Sequence, residues 1–236
     1  MRAYHLIALL CAPVLLGQAF SVRRKVQQLP EAAGDRVGRV GEGAPLRLLI
    51  IGDSSAAGVG VTTQDEALLG QVVSRLATDQ NVAFQLLAQT GAKTKDAFGW
   101  LDDLDETFDV AVVALGANDV TKGTALRAFL TQQQSLWQRL KNDFGVGQVL
   151  VTAMPPIDRF PALPQPMRLV LGQRAKVFSN ALAPQIQDAE GVELLNFTGD
   201  FDADDMAVDG FHPGPPVYAA WADATAARIS KLSSAA

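Results

Sequence analysis

From residue 46 onward, short apolar runs alternate with stretches in which apolar residues recur at helical spacing. The runs at 46–51, 82–88, 109–115, 148–153 and 192–195 have strand length and predict five strands. The third, DVAVVAL at 109–115, has no polar alternation at all, as expected of a strand buried on both faces. Between and after the runs, residues 66–78, 123–142, 167–188 and 216–232 read as helices. Strands separated by helices pair in parallel through right-handed crossovers. The pattern therefore predicts an α/β fold, an open and mainly parallel five-stranded sheet covered on both sides.

The chain before residue 46 follows different rules. Residues 3–22 contain no Lys, Arg, Asp or Glu, with Arg2 before them and Arg23, Arg24 and Lys25 after. A run of that length can cross a bilayer core of roughly 30 Å as one helix. Gly17-Gln18-Ala19 also resembles a small-x-small cleavage site, so a secretory signal is the other reading. The basic cluster favours retention on the cytoplasmic side, whereas cleavage would export the protein. We expect a membrane-anchored or exported protein, at a bacterial inner membrane or in the periplasm, with residues 1–22 as the anchor or signal. Residues 23–45 mix charge, Gly and Pro without apolar periodicity and read as a linker to a domain at 46–236.

Composition narrows the chemistry. The net charge is −5 with no basic block after residue 25, which argues against nucleic acid as a partner. The single cysteine, Cys11, lies in the leader, and the only histidines are His5 and His212. A thiolate metal site and a catalytic zinc site are therefore not expected. In open parallel sheets, ligands bind beyond the carboxyl ends of the strands. The segments there are Gly52-Asp53-Ser54, QTGAKT at 89–94, GANDV at 116–120, MPPIDRFPALPQP at 154–166 and DGFHP at 209–213. A phosphate loop would need a lysine that residues 46–81 lack, and Gly58-Val59-Gly60 has Thr63 in place of a third glycine. The acidic DFDADD at 200–205 lacks the EF-hand glycine and glutamate and reads as a solvated loop.

Nucleophilic catalysis suits these residues better. A serine hydroxyl needs an imidazole to take its proton, and the imidazole needs a carboxylate to fix its tautomer. His212 is the one imidazole outside the leader, and Asp209 stands three residues before it, within reach across one tight turn. Ser54 would be the nucleophile, with Gly91 and Asn118 offering a backbone N–H and a side-chain amide to a developing oxyanion. Taken singly, each also fits a plainer role: Ser54 a turn hydroxyl, His212 a residue leading into a helix, Gly91 a turn glycine, and Asn118 a capping residue.

Gly52-Asp53-Ser54, Gly91, Gly116-Ala117-Asn118-Asp119 and Asp209-Gly210-Phe211-His212-Pro213 resemble, in order and spacing, the four blocks of the SGNH (GDSL) hydrolases. LGANDV and DGFHP look most like the bacterial thioesterase, lysophospholipase and arylesterase branch. The resemblance runs from residue 46 to the C-terminus. It implies a three-layer α/β/α sandwich of flavodoxin-like type and a serine esterase working without cofactor or metal. Ser54 would be nucleophile, His212 general base and then general acid, and Asp209 its orienter. The Ser54 N–H, Gly91 N–H and Asn118 amide would form the oxyanion hole. Two positions depart from the family pattern: Ser55 stands where Leu is usual, and Thr90 where Ser or Asn is.

The proline-rich stretch 154–166 is long for a connection and is expected to wall the site, with Phe160 and Leu163 as apolar substrate-binding residues. The expected substrate is a small or amphiphilic ester with a short acyl, aryl or lysophospholipid-type group. An acyl or acetyl transferase and a carbohydrate deacetylase remain alternatives on the same fold. Outside enzymes, the alternative is a non-catalytic binding domain tethered to a membrane through residues 3–22.

Overall fold

The computed structural model describes residues 11–197 and 202–233. Six strands form one sheet: β1 (Val37–Val40), β2 (Ala44–Gly52), β3 (Gln80–Ala88), β4 (Val110–Ala114), β5 (Gln148–Thr152) and β6 (Val192–Leu195). Their order is β1-β3-β2-β4-β5-β6, with β1 antiparallel to β3 and every other pair parallel. The helices are α1 (Ala12–Lys25), α2 (Leu68–Leu76), α3 (Ala97–Asp102), α4 (Ala117–Thr121), α5 (Leu126–Phe144), α6 (Met167–Asp188) and α7 (Pro215–Ser233).

Strand geometry sends successive side chains to opposite faces, and here it splits each central strand between two cores. Leu49, Ile51, Val113 and Val151 pack with Phe129 and Trp137 of α5 and Phe178 of α6. Leu48, Ile50, Val112 and Leu150 pack with Leu69 and Val72 of α2 and with Tyr218 and Trp221 of α7. Leu48 to Ile51 are all 0% exposed, which is why those positions show no polar alternation. The result is the α/β/α sandwich that the sequence pattern predicts, with one strand more.

The extra strand lies inside the stretch read as a linker, and that reading is corrected. β1 reads VGRV and is largely exposed, with Val37 58% and Val40 48% accessible. A short edge strand that buries almost nothing leaves no apolar signature in its sequence. The residues before it are tied down as well. Ala32 is buried, its N–H donates to Ala57 O at 3.1 Å, and Ala33 bridges to Thr63. Gln64 returns the contact, its Nε2 donating to Ala32 O and Ala57 O. Ordered structure therefore begins well before residue 46.

Of the expected anchor or signal at 1–22, residues 1–10 lie outside the described residues. The remainder forms α1, which lies against α6: Leu15 and Val22 pack on the core, Gln18 Nε2 donates to Gln165 O, and Met167 N–H donates to Gln18 Oε1. Among the described residues, no helix is long and apolar enough to cross a membrane.

The corrected boundary has a measurable consequence. A chain starting at residue 46 is expected to unfold at a clearly lower denaturant midpoint than one starting at residue 27, because it loses β1, Ala32 and the bridge to Thr63. Equal midpoints would return residues 27–45 to the role of a linker.

Candidate active site

Sheet register sets the site. Gly52 at the end of β2 pairs with Ala88 at the end of β3 on one side and with Ala114 at the end of β4 on the other. The chain leaves β2 for one neighbour and later returns to its other flank, so the loops after these strands part and open a crevice. Ser54, Gly91 and Asn118 lie two, three and four residues beyond the three strand ends. All three line one cavity of about 310 Å³, together with Asp53 and His212.

The turn after β2 is built from backbone bonds. Asp53 N–H donates to Ala114 O, Ala57 N–H to Asp53 O and Val59 N–H to Ser54 O. The buried Tyr218 hydroxyl, 2.8 Å from the carbonyls of Ser55 and Val59, shares its proton between them and closes the turn from behind. Burial, with the Asp53 and Asp209 charges nearby, pushes this phenol far above its ordinary range, so it stays a donor. Ser54, and not Ser55, then faces the histidine.

His212 Nε2 lies 2.8 Å from Ser54 Oγ, and His212 Nδ1 lies 2.5 Å from Asp209 Oδ2. Asp209 Oδ1 accepts the N–H groups of Phe211 and His212 at 2.9 and 3.0 Å. One carboxylate thus shapes the turn with one oxygen and orients the ring with the other. The tight return requires Gly210, whose φ of +64° few side chains tolerate; its carbonyl accepts from Ala162 N–H of the proline-rich loop. Burial alone would raise the Asp209 carboxyl. The bonds from the His212 ring and the two N–H groups outweigh burial and hold the carboxyl below the usual carboxylate range. It therefore stays anionic through neutral pH, as the partner of an imidazole that gains a proton must.

Ser54, Gly91 and Asn118, the residues expected to meet an oxyanion, all line the cavity. Gly91 has φ +81°, and a Cβ there would come within 2.7 Å of Lys122 Nζ. Among the described residues, neither the Ser54 nor the Gly91 N–H donates a hydrogen bond. The Asn118 amide donates to Asp53 Oδ2 at 3.1 Å, while Asp53 Oδ1 accepts the Ser55 N–H at 3.0 Å. Behind Asn118, the buried Asp119 Oδ2 accepts both the N–H and the hydroxyl of Thr94. Gln133 Nε2 donates to Thr94 Oγ1 and Leu115 O, which ties the loop after β3 to the loop after β4.

The cavity wall is largely apolar. Met154, Pro155, Pro156, Ile157 and Phe160 of the proline-rich loop line one part, and Phe197 and Trp221, stacked at 5.5 Å, line another. Phe160 lies where it is expected and meets the Phe211 ring at 5.2 Å. Leu163 does not. It is 2% exposed and does not line the cavity; it packs in the same core as Phe160, which is 7% exposed and also reaches the cavity. Sequence reasoning missed Trp221 and Phe197, which carry no motif, and the hold of Asp53 on Asn118, although Asp53 precedes Ser54 directly. Asp202 of the acidic loop borders the cavity, while residues 200 and 201 lie outside the described residues. Among the described residues, no group of His, Cys, Asp and Glu side chains comes together that could hold a metal ion.

Asp53 carries an electrostatic signature. Burial pushes its carboxyl up to about 6, against the opposing pull of the Ser55 N–H, the His212 charge and the Asn118 amide. A group whose pKa is raised by folding contributes stability below its unfolded pKa and loses it as pH rises through the folded value. The Tm of Asp53→Asn, measured relative to the parent protein, is therefore expected to rise between about pH 4 and pH 7. A difference that stays flat across that range would contradict the assignment.

Residues 50–220 match the GDSL-like lipase/acylhydrolase family. A GDSL-like esterase of Mycobacterium tuberculosis is 27% identical over 192 residues, covering 75% of this chain and 60% of that protein. The chain thus spans about 60% of the length of that curated relative. Among solved structures, the psychrotrophic esterase EstA from Pseudoalteromonas sp. superposes with a TM-score of 0.60 at 18% identity, covering 79% of this chain and 97% of that one. TesA superposes with a TM-score of 0.61 at 22% identity, covering 79% and 99%. An acetylxylan esterase from Geobacillus stearothermophilus gives a TM-score of 0.56 at 18% identity, covering 79% and 95%. At these identities the superpositions speak for the fold, and the family match covers most of the chain: the protein belongs to the GDSL-like lipase/acylhydrolase family.

Proposed function

We propose that the protein hydrolyses carboxylic esters through an acyl-enzyme on Ser54. The observation that carries this reading is His212, held between Ser54 Oγ at 2.8 Å and Asp209 Oδ2 at 2.5 Å at the edge of an apolar cavity. His212 takes the Ser54 proton as the hydroxyl attacks the ester carbonyl, and Asp209 stabilises the imidazolium. The Ser54 N–H, the Gly91 N–H and the Asn118 amide receive the oxyanion of the tetrahedral intermediate. Its collapse transfers the proton from His212 to the leaving alcohol. Water then attacks the acyl-enzyme by the same route, and the acid and Ser54 are released.

The lining favours an acyl or aryl group over a sugar. Met154, Ile157, Phe160, Phe211 and Trp221 offer broad hydrocarbon and aromatic surface, and burying apolar area there yields about 25 cal/mol per Å². The substrate class we infer is therefore a small or amphiphilic ester with an apolar acyl or aryl part. The esterases named above, including the one that acts on acetylxylan, support ester cleavage as the reaction type.

Ser54→Ala is expected to lower kcat on p-nitrophenyl butyrate by about 10⁴-fold or more, with the circular dichroism spectrum unchanged, and His212→Ala comparably. The double variant is expected to be no slower than either single one, because the two groups act as a unit. Activity retained in Ser54→Ala would sink the proposal. Since an imidazole accepts a proton only when neutral, kcat/KM is expected to rise from acid pH to a plateau. A profile that stays flat on the acid side would remove His212 as the base.

A further inference from the structure

The Gly91 peptide is the least supported of the three oxyanion donors. Asn118 rides on α4 and Ser54 on the closed turn after β2, but Gly91 sits outside any helix or strand, in a loop at a left-handed φ of +81°. Thr90, just before it, is one of the two positions that depart from the family pattern. At Thr90 the restraint comes from the segment preceding β1. The Glu31 carboxylate accepts both the backbone N–H of Thr90, at 2.6 Å, and the Thr90 hydroxyl, at 2.7 Å, on the same oxygen. Its other oxygen pairs with Arg36 at 2.7 Å, and Arg36 donates in turn to Ala88 O, the last residue of β3. On the far side of the peptide, Lys122 Nζ donates to Gly91 O.

Resting on the ester-hydrolase reading above, we propose that Glu31 is a positioning residue for the oxyanion hole. Its carboxylate, braced by Arg36, holds Thr90 so that the following N–H, that of Gly91, presents itself to the cavity. The segment is well placed to do so. Residues 32 and 33 bond at the same time to Ala57 and Thr62 of the loop that carries Ser54. One short stretch thereby fixes the nucleophile's loop relative to the loop of an oxyanion donor. Desolvation would raise the Glu31 carboxyl, but the Thr90 and Arg36 bonds outweigh it and keep it below the usual range, so the brace persists across neutral pH. The Glu31 side chain is 28% exposed and touches none of the reacting groups, so it acts through Thr90 and, by way of Arg36, through Ala88 O.

A donor that is misaligned loses value only where charge develops, in the transition state, so the loss should appear in kcat rather than KM. Glu31→Ala is expected to lower kcat on p-nitrophenyl butyrate by about tenfold to a hundredfold with KM within about twofold. Thr90→Val, which leaves the Glu31–Arg36 pair intact, is expected to lower kcat by about threefold to tenfold. The double variant should match Glu31→Ala, since both changes break the same restraint. In the ¹H–¹⁵N spectrum of the full chain, the Gly91 amide is expected to shift or broaden in both single variants. The inference is overturned if kcat stays within about twofold in Thr90→Val and Glu31→Ala, or if the Gly91 amide is unmoved. The amide signal is read without substrate. A parent protein that hydrolyses no ester while its Gly91 signal moves in Glu31→Ala therefore counts against the proposed function and not against the restraint.

Discussion

Three strands ending level, at Ala88, Gly52 and Ala114, are the constraint on which the site depends. Because β2 pairs with both neighbours over its last residues, every chain segment that continues past those ends must enter the same small volume. Ser54, Gly91 and Asn118 arrive there within four residues of a strand, which leaves little slack for misplacement. His212 comes from the other end of the sequence, 158 positions from Ser54, and its approach is set by the turn that Asp209 ties. Packing on both faces of the sheet makes the platform stiff, and a stiff platform keeps donors and acceptors aimed before a reaction begins.

The electrostatics follow from how deeply each carboxylate is placed. Asp209 lies low because the imidazole and two N–H groups bond it, whereas Asp53 lies high because burial dominates over what it accepts. The two acids therefore differ in what they do for the site. One stays charged beside His212 Nδ1. The other sits near neutrality behind Ser54 and holds the Asn118 amide, at a cost in stability that grows as pH rises. Such conflict between stability and arrangement is expected where a fold keeps polar groups buried at a site.

Much of this was legible from residue types and spacing. The central strands β2, β4 and β5 announce themselves because both of their faces are buried, so the apolar runs at 46–51 and 109–115 need no alternation to be read. Ser54, Asp209 and His212 stand out because histidine is so scarce that only one imidazole is at hand. What escaped the sequence did so for physical reasons. β1 is an exposed edge strand, and its VGRV has no face to advertise. Glu31 looks like any surface acid until Thr90, 59 residues later, is brought to it by the pairing of β1 with β3. Phe160 and Leu163 are both apolar and three residues apart, and both pack in one core, yet only Phe160 also reaches the cavity.

The proposed hydrolysis requires that His212 make Ser54, and no other hydroxyl, nucleophilic. Treatment of the full chain with a fluorophosphonate, followed by intact-mass and peptide mass spectrometry, tests it directly. One phosphonyl adduct per chain, carried by Ser54, is expected, and none when His212 is replaced by Ala. An adduct on Ser55 or another residue, or labelling that proceeds equally well without His212, would contradict it.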